Sequence, residues 1–97
     1  MVQHAEHVHT DPTEVARLEA LIRDLPGNAR VAITLRDGTV RRGLVAVLPS
    51  LQLFIDPQHR EGLNGLFKLE LAGGGTVELW LDQIERVEHL DALHPDG

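Results

Sequence analysis

The run Val31 to Asp56, VAITLRDGTVRRGLVAVLPSLQLFID, constrains this chain more than any other feature. Val31, Ile33 and Leu35 alternate with Ala32, Thr34 and Arg36, which is the two-residue period of a half-buried strand. Asp37-Gly38 then reverses the chain, because glycine tolerates the positive φ of a tight hairpin turn. A second strand is expected from about Thr39 to Leu48, with Gly43 in its middle, where a missing side chain lets a sheet bend sharply. Leu44-Val45-Ala46-Val47-Leu48 is apolar at both parities. Both faces of that half-strand are therefore expected to be covered, one by the barrel interior and the other by the helix or a second subunit. Pro49-Ser50 breaks the strand, and Leu51, Leu53 and Ile55 carry a third.

The rest of the chain surrounds this run with one helix and more strands. Asp11 can cap free N–H groups, Pro12 suits a first helical position, and Glu14 sits at the capping-box spacing. Val15, Leu18, Leu21, Ile22 and Leu25 then form one apolar stripe, which predicts a helix over residues 12–25. So short a helix is marginal alone and must lay its stripe on the sheet. Asp56 to Gly65 reads as a polar loop. Phe67, Leu69 and Leu71 read as a strand, Gly73-Gly74-Gly75 as a turn, and Val77, Leu79 and Leu81 as its partner. Apolar residues at 81, 84, 87, 90 and 93 drift around a helix. They predict a 3₁₀ turn near Asp82-Gln83-Ile84 and a short strand through Val87, with a helical C-terminus as the alternative. Residues 11–93 read as one domain, with a barrel over 30–90. Residues 1–10 and 94–97 read as disordered tails.

Length and composition bound the function. At 97 residues the chain is one domain with one modest core. No apolar run is long enough to span a bilayer. The opening MVQHAEHVHTD has no signal-peptide pattern, so a cytoplasmic protein is expected. There is no cysteine, hence no disulfide framework and no thiolate nucleophile. The net charge of −6 sits at the ends: residues 28–90 carry seven Lys and Arg against eight Asp and Glu. Clustered cations supply most nonspecific nucleic-acid affinity, so a chain of this balance is a poor general phosphate binder.

Two blocks carry a family resemblance. Leu35-x-Asp37-Gly38, then Gly43 and Val45, resembles the first motif of Sm-like proteins. Val77-x-Leu79-Trp80-Leu81-Asp82-Gln83-Ile84-x-x-Val87 resembles the second. Within that superfamily the chain looks most like a small uncharacterised bacterial family. The resemblance implies a mainly β fold with one N-terminal helix, built as a strongly bent five- or six-stranded antiparallel barrel of Sm-like or SH3-like type. It also implies a non-enzymatic module and association with single-stranded RNA or a ribonucleoprotein. Sm proteins hold a base with an Asp and an Asn after the second strand, a stacking side chain, and an Arg-Gly pair. Here the first loop reads Pro49-Ser50 and the Arg-Gly position reads Trp80-Leu81. The fold carries over by this resemblance and the base pocket does not.

Three constellations remain. His4, His7 and His9, near Glu6 and Asp11, are a polar tail for which no metal is expected. Arg36, Arg41 and Arg42 flank the Asp37-Gly38 turn, with Arg30 nearby, and form the one basic cluster. They are the candidate contacts for phosphate or an acidic partner. Trp80 has the opposite parity to Val77 and Leu79, so it is the candidate for stacking on a base or anchoring a partner. The competing reading buries it under the helix or at a subunit contact. No catalytic residue and no cofactor are expected. Two readings stand: an RNA-associated Sm-like module, and a protein-interaction or self-associating scaffold.

Overall fold

The computed structural model describes residues 3–90. Residues 91–97, including the expected tail at 94–97, lie outside the described residues. The helix α1 (Pro12–Arg23) begins where the sequence places it. Asp11 is extended, with φ −65 and ψ 125, and its carboxylate accepts the Glu14 N–H at 3.2 Å. That bond satisfies one of the orphan donors of the first turn. Leu18, Leu21 and Leu25 of the stripe are buried against the sheet, and Ile22 packs at their edge.

Seven strands follow: β1 (Arg30–Leu35), β2 (Val40–Val47), β3 (Gln52–Ile55), β4 (Glu61–Asn64), β5 (Leu66–Leu71), β6 (Thr76–Trp80) and β7 (Ile84–His89). Five of them form one antiparallel sheet in the order β6-β5-β2-β1-β7, while β3 and β4 form a separate hairpin. The core lies between α1 and the sheet and contains Val31, Ile33, Val45, Phe67, Leu69, Leu81 and Ile84. A 3₁₀ turn (Leu81–Gln83) links β6 to β7, as the drifting apolar period predicts. That strand runs on to His89, so the helical alternative does not hold over these residues.

The β1–β2 hairpin closes as expected. The Leu35 N–H donates to the Thr39 carbonyl at 2.8 Å, and Gly38 takes φ 91. Gly43 lies opposite Val31 on one side and Leu71 on the other. A Cβ there would stand 2.1 Å from the Glu70 carbonyl oxygen. The missing side chain lets β2 pass that close to β5, and the register slips between Val45 and Val47.

Several expectations need correction. The sheet is bent but not closed into a barrel: β6 and β7 are its outer strands and do not pair with each other. The main sheet has five strands as expected, and among the described residues a further pair forms because Asp56–Gly65 is not all loop. Glu61–Asn64 pairs with Gln52–Ile55, and Gly65 leads from β4 straight into β5. Backbone pairing made this strand, whose single large apolar residue, Leu63, leaves no alternation to read. Pro49-Ser50 is a junction from β2 to β3, and the chain reverses instead at Asp56–Arg60. The second face of Leu44–Leu48 is not covered by the helix. Val47 and Leu48 are 49% and 60% exposed.

The largest correction concerns the N-terminus. Residues 3–9, expected as a free tail, run along the β3–β4 hairpin. The Ala5 N–H donates to the Ile55 carbonyl at 3.1 Å, and the Ile55 N–H donates to the Gln3 carbonyl at 2.9 Å. His9 and Leu63 exchange both of their backbone bonds, at 3.0 and 2.8 Å. Ala5 is buried. A polar sequence conceals such a segment because its ordering rests on backbone groups, which every residue carries.

Candidate interaction site

The arginine cluster does not assemble around Trp80. Gly43, next to Arg42, pairs with Leu71 of β5, whereas Trp80 pairs with Leu66 at the other end of the same strand. Five residues of strand separate the two levels, roughly 17 Å at about 3.3 Å per residue. Arg41 lies opposite Ile33 and Arg42 opposite Ala32, so the two side chains leave opposite faces of β2. Both are exposed. Arg36 is engaged: its Nε donates to the Asp82 carbonyl at 2.6 Å and its guanidinium lies 3.9 Å from Glu14. It ties the β1–β2 turn to the 3₁₀ turn and to α1.

The two turn aspartates also hold local structure. Asp37 accepts the Thr39 N–H at 2.9 Å. Its carboxyl is lowered below the usual range by the Thr39 backbone and hydroxyl bonds, and the Arg41 charge adds to this. Asp56 accepts the backbone N–H groups of Gln58 and Arg60, each at 2.9 Å, and pairs with the Arg60 guanidinium at 2.9 Å. The Arg60 backbone bond is the largest of the causes that lower its carboxyl. Asp56 follows β3, and its oxygens are committed to the turn. It lies in the turn between β3 and β4, so the Pro49-Ser50 loop after β2 still has no Asp, and Asp56 itself is not free for a ligand.

These shifts set a pH dependence. A carboxyl lowered in the folded state contributes stability above its unfolded pKa of about 3.9, and the contribution is lost as pH falls through the folded value. We expect the thermal midpoint to drop below about pH 4. The Asp56→Asn variant should have a lower midpoint at neutral pH and a shallower acid dependence. Thermal denaturation at pH 7 and pH 3 checks this, and an unchanged acid slope in the variant would remove Asp56 as its source.

Trp80 is half-buried, but not beneath the helix. Its ring meets Phe54 edge to face, with centroids 5.2 Å apart at 72°. Such pairs add about 0.5–1.5 kcal/mol beyond area burial. The contact docks the β3–β4 hairpin on the end of β6. Two hollows of about 290 and 340 Å³ flank the ring. Asn64, Asp82, Glu6 and His7 line one, and His4, Ile55 and Pro57 line the other. Both are walled by the N-terminal segment.

The polar residues that matter here escape a reading by sequence. Asn64 is 1% exposed and donates to the His7 carbonyl at 2.9 Å. Asp82 is 5% exposed, and its Oδ2 lies 2.9 Å from His9 Nε2. Asn64-Gly65 reads as a turn dipeptide, and Asp82 as one more acidic residue of a turn. Only their burial marks them. Among the described residues no three His, Cys, Asp or Glu side chains converge as a metal site, and no helix is long and apolar enough to cross a membrane.

An open, bent five-stranded sheet carrying one capped helix and a docked hairpin is a variant of the Sm-like fold. A solved structure from Xanthomonas campestris, described as XC5848 adopting a novel variant of the Sm-like motif, superposes on this chain with a TM-score of 0.87. The two are 38% identical, and the match covers 91% of this chain and 97% of that one. The chain belongs to the family described as domain of unknown function DUF3247, which matches residues 2–90 and so includes the N-terminal segment. No curated protein matches.

Proposed function

We propose that this chain is a non-enzymatic Sm-like interaction module that self-associates through an apolar surface at the β2–β3 junction. The observation that carries this reading is the exposure of Val47, Leu48 and Leu53, at 49%, 60% and 56%. Large aliphatic side chains gathered in one short exposed stretch mark interaction surfaces. The bland alternative is scattered surface leucines, which are common. Val47 and Leu48 at the end of a half-strand apolar at both parities, with Leu53 in the next strand, favour the partner surface.

The RNA reading has a narrower base. Arg42 and Arg30 line an open groove of about 460 Å³ on the outer face of the sheet, beside Leu44 and Glu70. A single strand lying there would lack a stacking ring, since Trp80 is at the other end of β5. Light scattering over a concentration series tests the first reading. We expect a mass above the 10.7 kDa monomer, returning to monomer when Val47→Ser and Leu48→Ser are combined. Monomer mass for the parent at all concentrations would remove the reading. A salt-dependent shift of single-stranded RNA, lost in Arg42→Ala, would put the RNA reading in its place.

A further inference from the structure

The segment 3–9 sits in a groove shaped for it, and three features of the groove are fitted to it. The first is Asn64, whose buried amide is committed to the His7 carbonyl while its Oδ1 takes the Gly65 N–H at 2.8 Å. The second is Gly62. A Cβ there would stand 2.9 Å from both the His9 nitrogen and the Val8 Cβ, so any side chain would push the segment off the hairpin. The third is Asp82, a buried carboxylate facing His9. Without the segment, Asn64 and Asp82 would lose these partners. Those bonds would pass to water, so the groove's polar groups are matched to the segment rather than to an apolar cover. The groove is therefore made to be filled by an extended stretch with a small residue at position 5 and a hydrogen-bonding ring at position 9.

The segment's own hold is local. It consists of backbone bonds at both ends, the Asn64 bond to the His7 carbonyl, a Gln3 bond to the Leu53 carbonyl, one buried Ala5, and the His9–Asp82 contact. After His9 only Thr10 intervenes before Asp11 caps α1, which is anchored independently through Leu18, Leu21 and Leu25. A short hinge between a strand-like strap and an anchored helix is the arrangement in which identical chains exchange an element.

We propose that residues 3–9 exchange between two copies of this chain, the strap of each seating in the other's groove beside Trp80. Every contact described above is reproduced in the exchanged form, because groove and strap are unchanged. Only the hinge at Thr10 takes a new conformation. The sequence that fits the groove belongs to this chain, so the partner is a second copy. The strap of the same copy competes at a high effective concentration, so exchange grows with protein concentration. The inference goes beyond the apolar surface at the β2–β3 junction and does not depend on it.

The absence of cysteine makes a direct test available. His9 and Leu63 form a hydrogen-bonded antiparallel pair, whose Cα atoms stand about 5.5 Å apart, within the range a disulfide bridges. One full-length chain carries His9→Cys and another carries Leu63→Cys. The two are mixed over a concentration series and oxidised with oxidised glutathione. We expect a covalent dimer at twice the 10.7 kDa mass, with a 9–63 linkage on peptide mapping and a yield that rises with concentration. A chain with Glu78→Cys on β6, in place of Leu63→Cys, sets the background. Because His9→Cys removes the contact to Asp82, a second pair leaves it intact: His4→Cys with Ile55→Cys, which face each other in the parallel bridge. A single chain with both His9→Cys and Leu63→Cys should close internally and shows that the geometry can form the bond. If that chain closes while neither mixed pair exceeds background, the exchange is refuted. Light scattering would then still decide the apolar-surface reading separately.

Discussion

Gly43→Ala should lose at least about 3 kcal/mol of folding stability, at the upper end of what overpacking costs. The added Cβ would lie 2.1 Å from the Glu70 carbonyl oxygen, 2.8 Å from its carbon and 3.1 Å from the Leu71 Cα. All three are backbone atoms of β5, so no side-chain rotation relieves the clash. The sheet must part at the pairing between β2 and β5, where Val45 and Leu69 are buried. A domain of this size holds roughly 5–15 kcal/mol in total, so Gly43→Val is expected not to fold. Gly73→Ala is the control, since nothing lies within 4 Å of its added Cβ. It should fall within about 0.5 kcal/mol of the parent. Urea denaturation of the three variants checks this, and a Gly43→Ala midpoint equal to that of Gly73→Ala would contradict the close approach of the strands.

Removal of residues 1–25 should leave a chain that aggregates. Leu18 and Leu25 are fully buried and Leu21 nearly so, all on the apolar face of the sheet that contains Val31, Ile33, Val45 and Leu69. Burial of each leucine contributes about 1.5–3 kcal/mol, so the three together rival the stability of the whole domain. The truncation also uncovers Trp80 and unpairs Asn64 and Asp82 from the N-terminal segment. Leu18→Ala is the graded form, expected to cost about 2–5 kcal/mol through lost burial and the cavity left behind. Size-exclusion chromatography of the truncated chain and denaturation of Leu18→Ala test the two. A soluble truncated monomer with the parent's midpoint would show that the helix is not part of the core.

How far the sequence could be read follows from what kind of force makes each element. The α1 stripe, the alternation through β1, β5 and β6, and the Asp37-Gly38 turn are side-chain signals, and each element stands where its signal lies. The 3₁₀ turn and β7 are also legible, because a three-residue apolar drift fits no single helix face. Strand β4 and the segment 3–9 carry no such signal. Glu61-Gly62-Leu63-Asn64 and Gln3 to His9 are ordered by backbone hydrogen bonds to chain far away in sequence, and those bonds depend little on residue type.

The candidate site divides along the same line. Composition identified Trp80 and the arginines as residues that could touch a partner. Their separation along β5, the engagement of Arg36 with Asp82 and Glu14, and the commitment of Asp56 to its turn are facts of register and docking. Asn64, Asp82 and His9 look unremarkable as letters, because a polar side chain gains its weight from burial, and burial is decided only when distant segments meet. The sequence by itself determined a helix-capped, bent antiparallel sheet, through local periodicity, capping and two glycines. Tertiary structure alone decided that the sheet stays open, that Val47 and Leu48 remain uncovered, and that the N-terminus is a strap in a groove, because each depends on which backbone edges and faces are left unpaired after the sheet has formed.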